Sequence, residues 1–171
     1  MTEVMVAAPA NIEEKFLARI ESFIIDHGQV RREGFAPLLR RAHALAWALE
    51  DGVLVGVAAL KQPRSSYRKR VFESAAVRDN LGDIPEVGWV AVDRACRSRY
   101  VATRLVAAVI RALESGPQDS WCFATARAKS RESDRLLVRA GFRRRGMLYN
   151  GSTDEPMALY LRPARSRVTS G

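Results

Sequence analysis

Between Cys96 and Leu105 the chain reads CRSRYVATRL, directly after the apolar run EVGWVAVD of Glu86 to Asp93 and ahead of a second apolar stretch. Arg97, Arg99 and Arg104 set guanidinium groups beside the hydroxyls of Ser98 and Thr103 at what reads as a strand-to-helix joint. The first amides of a helix have no partner within it and carry the positive end of its dipole, so such a joint attracts anions. A phosphorylated ligand is the expectation.

The rest of the chain must supply the strand and the helix. With 171 residues, 47% of them hydrophobic and 27% charged, the sequence suits one packed core, expected over residues 1–165 with a flexible tail at 166–171. Net charge is +9 and the basic excess is almost all arginine. That favours anionic partners, nucleic acid among them, without choosing one. Cys96 and Cys122 have no metal-type spacing, so neither a metal centre nor a disulfide framework is expected. The start lacks a basic region followed by an apolar core, and Glu50, Asp51 and Gly52 interrupt the most apolar segment. No signal peptide and no membrane span are expected, and a cytoplasmic location is the default.

Asn11 with Glu14 three residues later reads as a capping box, opening a helix that carries Ile12, Phe16, Ile20 and Ile24 and ends at Gly28. A second helix is predicted over residues 34–41. HALAWALEDGVLVGVAALK reads as a hairpin turning at Asp51-Gly52. Tyr67, Val71, Phe72 and Ala75 have helical spacing. EVGWVAVD shows little polar alternation and reads as a central strand covered on both faces. Val101, Leu105, Val109 and Leu113 form one helical stripe, DSWCFATAR is the next buried strand, and Ser130 and Gly141 bracket another helix. FRRRGMLYN and PMALYLR read as a final strand pair. The class is α+β with a mixed sheet.

In this frame the chain resembles the GNAT superfamily of acyl-CoA-dependent N-acyltransferases. Their hallmark after the central strand is Gln/Arg-x-x-Gly-x-Gly/Ala, and here it reads Arg97-Ser98-Arg99-Tyr100-Val101-Ala102, with Tyr100 where the family has glycine. ARAKSRESDRLLVRAGF is similar to the family's later segment that ends in Gly-Phe, here Gly141-Phe142. The resemblance runs from about His43 to Leu161. It implies an α/β/α sandwich whose mostly antiparallel central sheet has splayed central strands.

The resemblance also implies roles. Acetyl-CoA (coenzyme A) would be held at its pyrophosphate by residues Arg97, Ser98, Arg99, Tyr100, Val101 and Ala102, with Thr103 and Arg104 just inside the helix. Tyr100 would still offer its amide if its φ were helical and its side chain turned outward. The pantetheine arm would lie along Val90, Ala91 and Val92. Glu86, at the start of the central strand, stands where several members carry a base, and its neighbours Val87 and Trp89 suggest partial burial. The tyrosine that serves many members as acid is replaced by Leu137, which leaves Tyr149, or Tyr160, as substitute. Ser130 replaces an asparagine that often meets pantetheine, and it also reads as a helix cap.

The basic segment before the central strand nominates Tyr67, Arg68 and Phe72 as acceptor contacts. The expected reaction is acetyl transfer to a primary amine of a small molecule or peptide by direct attack on the thioester. The alternatives are a basic module directed at RNA, including one that acetylates an aminoacyl-tRNA, and a degenerate acyl-CoA-binding fold without turnover. Many members are homodimers, and the same is an expectation here.

Overall fold

Asp51 and Gly52 both take positive φ, 50° and 78°, and turn the hairpin of β2 (Ala44–Glu50) and β3 (Val53–Lys61). Two successive left-handed residues match the twist of paired strands, which is why Asp-Gly works there. The computed structural model describes residues 1–116 and 121–164, with Ser98 and Arg99 by backbone only. The tail expected at 166–171 lies outside the described residues.

Ahead of the hairpin lie β1 (Thr2–Ala7), α1 (Glu14–His27) and α2 (Phe35–Arg40). Strand β1 corrects the sequence reading, which placed no element there. Its half-exposed residues have no internal signature, and it exists by pairing with β2 from Thr2↔Glu50 to Ala7↔Leu45. Asn11 is also corrected: it closes a 3-10 turn, Pro9–Asn11, and α1 begins later with Glu13 at its N-cap. Gly28 ends α1 as expected, its amide reaching the Ile24 carbonyl. Leu17, Ile20, Phe23 and Ile24 are buried on α1, and full burial of an isoleucine contributes about 2 kcal/mol.

Then come α3 (Ser65–Ser74), β4 (Glu86–Val92), α4 (Val101–Glu114), β5 (Cys122–Arg127), α5 (Arg131–Arg139), β6 (Arg143–Asn150) and β7 (Pro156–Arg162). The seven strands form one sheet in the order β1-β2-β3-β4-β5-β7-β6. Only β4 and β5 run parallel, in register at Glu86↔Phe123, and the other neighbours are antiparallel. The fold is the expected α+β sandwich. One face packs its apolar residues under α4 and α5, including Val87, Leu105, Ala124, Leu137 and Tyr160. The opposite face packs Leu45, Val57 and Ala91 under α1 and α2, and Phe123, Leu159 and Leu161 against Val71 and Phe72 of α3. No helix among the described residues is long and apolar enough to cross a membrane.

Two bulges re-aim side chains. Between Val57↔Ala91 and Ala59↔Gly88, β4 carries one extra residue, and Trp89 there has φ 48°. This one-residue shift places Glu86 opposite Lys61; without it Lys61 would face Val87 and the carboxylate would lie out of its reach. In β6 the register slips between Arg145 and Tyr149, around Gly146 at φ 69°. A Cβ on Gly146 would run into the Ala75 carbonyl oxygen, to which Met147 donates its amide at 2.9 Å. The bulge is thereby fastened to the end of α3.

Candidate active site

Glu86 is 2% exposed, yet it lines a pocket of about 380 Å³ with Gly34, Leu38, Lys61, Gln62, Pro63, Arg64, Tyr67 and Trp89. Its carboxylate accepts from three side chains on three other elements. Lys61 Nζ of β3 donates to Oε2 at 2.8 Å, while Tyr67 of α3 and Thr125 of β5 donate their hydroxyls to Oε1 at 3.3 Å each. The surroundings therefore differ from the apolar flank expected of Val87 and Trp89. Val87 faces the α4 side, and Trp89 meets Lys61 through its ring face, the ammonium 5.1 Å from the ring centroid.

Tyr149 is partly buried beside this cluster. Burial first, and the Glu86 charge second, push its phenol up to about 12, opposed by a hydrogen bond with Thr125. Burial and Glu86 raise the Tyr67 phenol in the same way. Both phenols are thus protonated donors at neutral pH. Tyr160 goes elsewhere: it is fully buried on the α4–α5 face, donates to Asp134 at 2.7 Å and accepts from Arg144 at 3.1 Å. Leu137 is buried in that same core.

Of the three acceptor contacts expected from the basic segment, only Tyr67 reaches the pocket. Arg68 forms an ion pair with Asp83 that ties α3 to the loop before β4. Phe72 is core, edge-on to Phe123 with centroids 5.4 Å apart. Burial pushes the Cys122 thiol up to about 12, which leaves it a packing residue. Lys61, Thr125 and Trp89 were not foreseen as site residues. Nothing local marks Lys61 and Thr125, because only the register of β3, β4 and β5 brings them to Glu86, and Trp89 reads as core from its strand alone.

Beyond Glu86↔Phe123 the register of β4 with β5 ends, so the β5-facing backbone edge of Val90, Ala91 and Val92 has no strand partner among the described residues. At the end of that edge Asp93 caps a 3-10 turn, Arg94–Arg99, by accepting from the Ala95 amide at 2.8 Å. Arg97 is exposed and donates Nε to the Val92 carbonyl at 3.4 Å. Tyr100 then takes φ 58° and ψ 19°, left-handed and not helical as expected, with its side chain 67% exposed. A left-handed residue is what glycine would supply at this position. The first helical bond of α4 runs from the Arg104 amide to the Tyr100 carbonyl at 3.1 Å, so the amides of Val101, Ala102 and Thr103 precede it. Val101 is buried against the sheet and Arg104 is exposed. Ser130 caps α5: its hydroxyl accepts from the Ser133 amide at 3.2 Å and lies 2.8 Å from the Ser133 hydroxyl.

A family model described as acetyltransferase (GNAT) family matches residues 11–142. None of the curated proteins matches the chain. Among solved structures the chain is similar to an acyl-CoA N-acyltransferase from Pseudomonas aeruginosa, with 17% identity, TM-score 0.69 and coverage of 95% of this chain and 99% of that one. It is also similar to the ribosomal-protein-S18-alanine N-acetyltransferase from Escherichia coli, with 14% identity, TM-score 0.69 and 99% of each chain covered. A chain of the NatC complex bound to Gag peptide and CoA gives 14% identity and TM-score 0.67 over 95% of this chain and 99% of that one. At these identities the likeness is one of fold.

Proposed function

Since the chain belongs to the acetyltransferase (GNAT) family, and is an N-acetyltransferase of it, we propose that it acetylates a primary amine with Glu86 as base and Tyr149 as proton donor. The observation that carries this reading is the buried Glu86 carboxylate at the floor of an open pocket, beside the point where β4 and β5 part. An amine attacks only when deprotonated, and Glu86 is the one buried carboxylate in that pocket. Tyr149, still protonated at neutral pH and hydrogen-bonded to Thr125, serves in this reading as the donor toward the leaving group.

The residues present fit acetyl-CoA. The free edge of Val90, Ala91 and Val92 offers backbone groups for an amide-bearing arm, and the turn from Arg97 to Tyr100, with the amides of Val101, Ala102 and Thr103, offers donors for a pyrophosphate. Arg97 and Arg104 add charge. Ser130 keeps its hydroxyl within hydrogen-bond reach of its own cap, and a pantetheine contact would have to share it. When bound, acetyl-CoA supplies an acyl group activated as a thioester. Tyr67, whose hydroxyl donates to Glu86, then orients the carboxylate and also lines the pocket that would receive the acceptor. The reading is tested by calorimetry with acetyl-CoA and by amine-dependent release of free CoA thiol, in wild type and Glu86→Gln. Binding with amine-dependent release in the wild type alone supports it, and no acetyl-CoA binding overturns it.

A further inference from the structure

Three side chains donate to Glu86, and one of them is an ammonium on an unbranched four-carbon stem. We propose that Glu86, Trp89 and Tyr67 form a binding site for a primary ammonium group, that Lys61 fills it in the free protein, and that the acceptor is an unbranched primary alkylamine that takes Lys61's place. The naming of the acceptor rests on the acetyl-transfer reading above; the ammonium site itself does not.

The geometry is that of ammonium recognition. Lys61 Nζ sits 2.8 Å from Glu86 Oε2, 5.1 Å from the centroid of the Trp89 ring and 5.8 Å from that of Tyr67. A carboxylate supplies the charge-assisted bond, and two ring faces supply the cation–π attraction. The stem has a fitted track. A Cβ on Gly88 would meet Lys61 Cδ at 2.9 Å, so glycine at this position leaves room for a single file of methylenes along β4. The pocket is walled besides by Leu38 and Pro63, which suit an aliphatic body, and by Arg64, whose charge disfavours a second cationic group on that body.

Exchange explains how a buried, fully engaged carboxylate can still serve an incoming amine. Removing Lys61 without replacement would strand the Glu86 charge, which is costly at a buried site. Replacing one ammonium by another keeps the charge pair, and the displaced Lys61, whose side chain is 18% exposed at the end of β3, gains water beside exposed Gln62. A neutral or anionic ligand cannot make that exchange. An amine branched next to nitrogen does not fit the single-file track.

The test uses the full-length protein without acetyl-CoA, labelled with nitrogen-15, and follows the indole signals of Trp47, Trp89 and Trp121. The probes are n-butylammonium and tert-butylammonium chloride at constant ionic strength, applied to wild type, Lys61→Ala and Glu86→Gln. The expected result is a shift of the Trp89 signal by n-butylammonium, at roughly tenfold lower concentration in Lys61→Ala than in wild type, with no response in Glu86→Gln and none to tert-butylammonium. An unmoved Trp89 signal in folded Lys61→Ala, or an equal response to tert-butylammonium, overturns the proposal. If Lys61→Ala does not fold, the wild-type comparison of the two amines decides alone. Loss of the acetyl-transfer reading would show instead as absent acetyl-CoA binding in calorimetry, a separate measurement that leaves the ammonium site standing.

Discussion

Glu86 stands opposite Phe123, the one pair at which β4 and β5 keep register among the described residues, and from there toward Val92 the β4 edge is open. The proposed base and the proposed cofactor groove therefore share an origin: the same divergence that frees backbone groups of Val90, Ala91 and Val92 leaves Glu86 at its apex. The bulge at Trp89 then turns Glu86 to the face where Lys61, Tyr67 and Thr125 meet it.

Arg97 is an exposed side chain at the β4–α4 turn, held among the described residues by a long bond to the Val92 carbonyl, which leaves it available to a phosphate. Arg97→Ala should weaken acetyl-CoA binding about tenfold, the loss of one charge-assisted contact, without changing the melting temperature noticeably. Calorimetry at fixed ionic strength measures the first and thermal unfolding the second.

Tyr100 occupies a left-handed conformation with its ring in solvent, so it carries the steric cost of a Cβ there and little packing in return. Tyr100→Gly should stabilise the fold by about 0.5–1 kcal/mol and leave acetyl-CoA affinity equal or higher. Urea unfolding of the two proteins side by side checks the sign. A destabilised glycine variant would mean that the ring makes contacts this geometry lacks.

Alkaline pH gives a further check, because the Tyr149 phenol rises from about 10 in the unfolded chain to about 12 when folded. Below pH 10 both states hold the proton and stability is unaffected. Between pH 10 and 12 the unfolded state loses its proton first, so stability falls as pH rises, by about 1–2 kcal/mol once solvent screening is allowed for. Tyr149→Phe should flatten that part of the decline, as read from urea midpoints at pH 8, 10 and 11.

The parts of the fold that the sequence announces are those whose cause is local. Asp51-Gly52 turns a hairpin through its own backbone preferences, Ser130 caps α5 through its own hydroxyl, and Gly141 ends that helix at φ 94°. Strand β1 is silent because its partner is 38 to 48 residues away and its own residues barely alternate. The site divides in the same way. The turn at Arg97 is carried by a contiguous motif, whereas Glu86 and Tyr149 enter through the resemblance and through their places at the start of the central strand and near the last strands. Lys61 and Thr125 were not readable, since a one-residue bulge decides whether Lys61 faces Glu86 or Val87. Phe72 and Arg68 lie in a basic segment whose apolar residues have helical spacing, but the sheet buries the first and Asp83 claims the second.

The central claim is that Glu86 removes the proton from the acceptor amine, and Glu86→Gln tests it most directly, with n-butylamine as acceptor and free CoA thiol as the readout. The expected result is a fall of roughly 100- to 10,000-fold in kcat, read at saturating amine, with acetyl-CoA affinity within about twofold of wild type, because the substitution removes the base as well as the carboxylate that would hold the ammonium and leaves the groove at Val90 to Ala102 intact. An unchanged rate of CoA release in a variant that still binds acetyl-CoA would contradict the claim and move the search for the base to another residue.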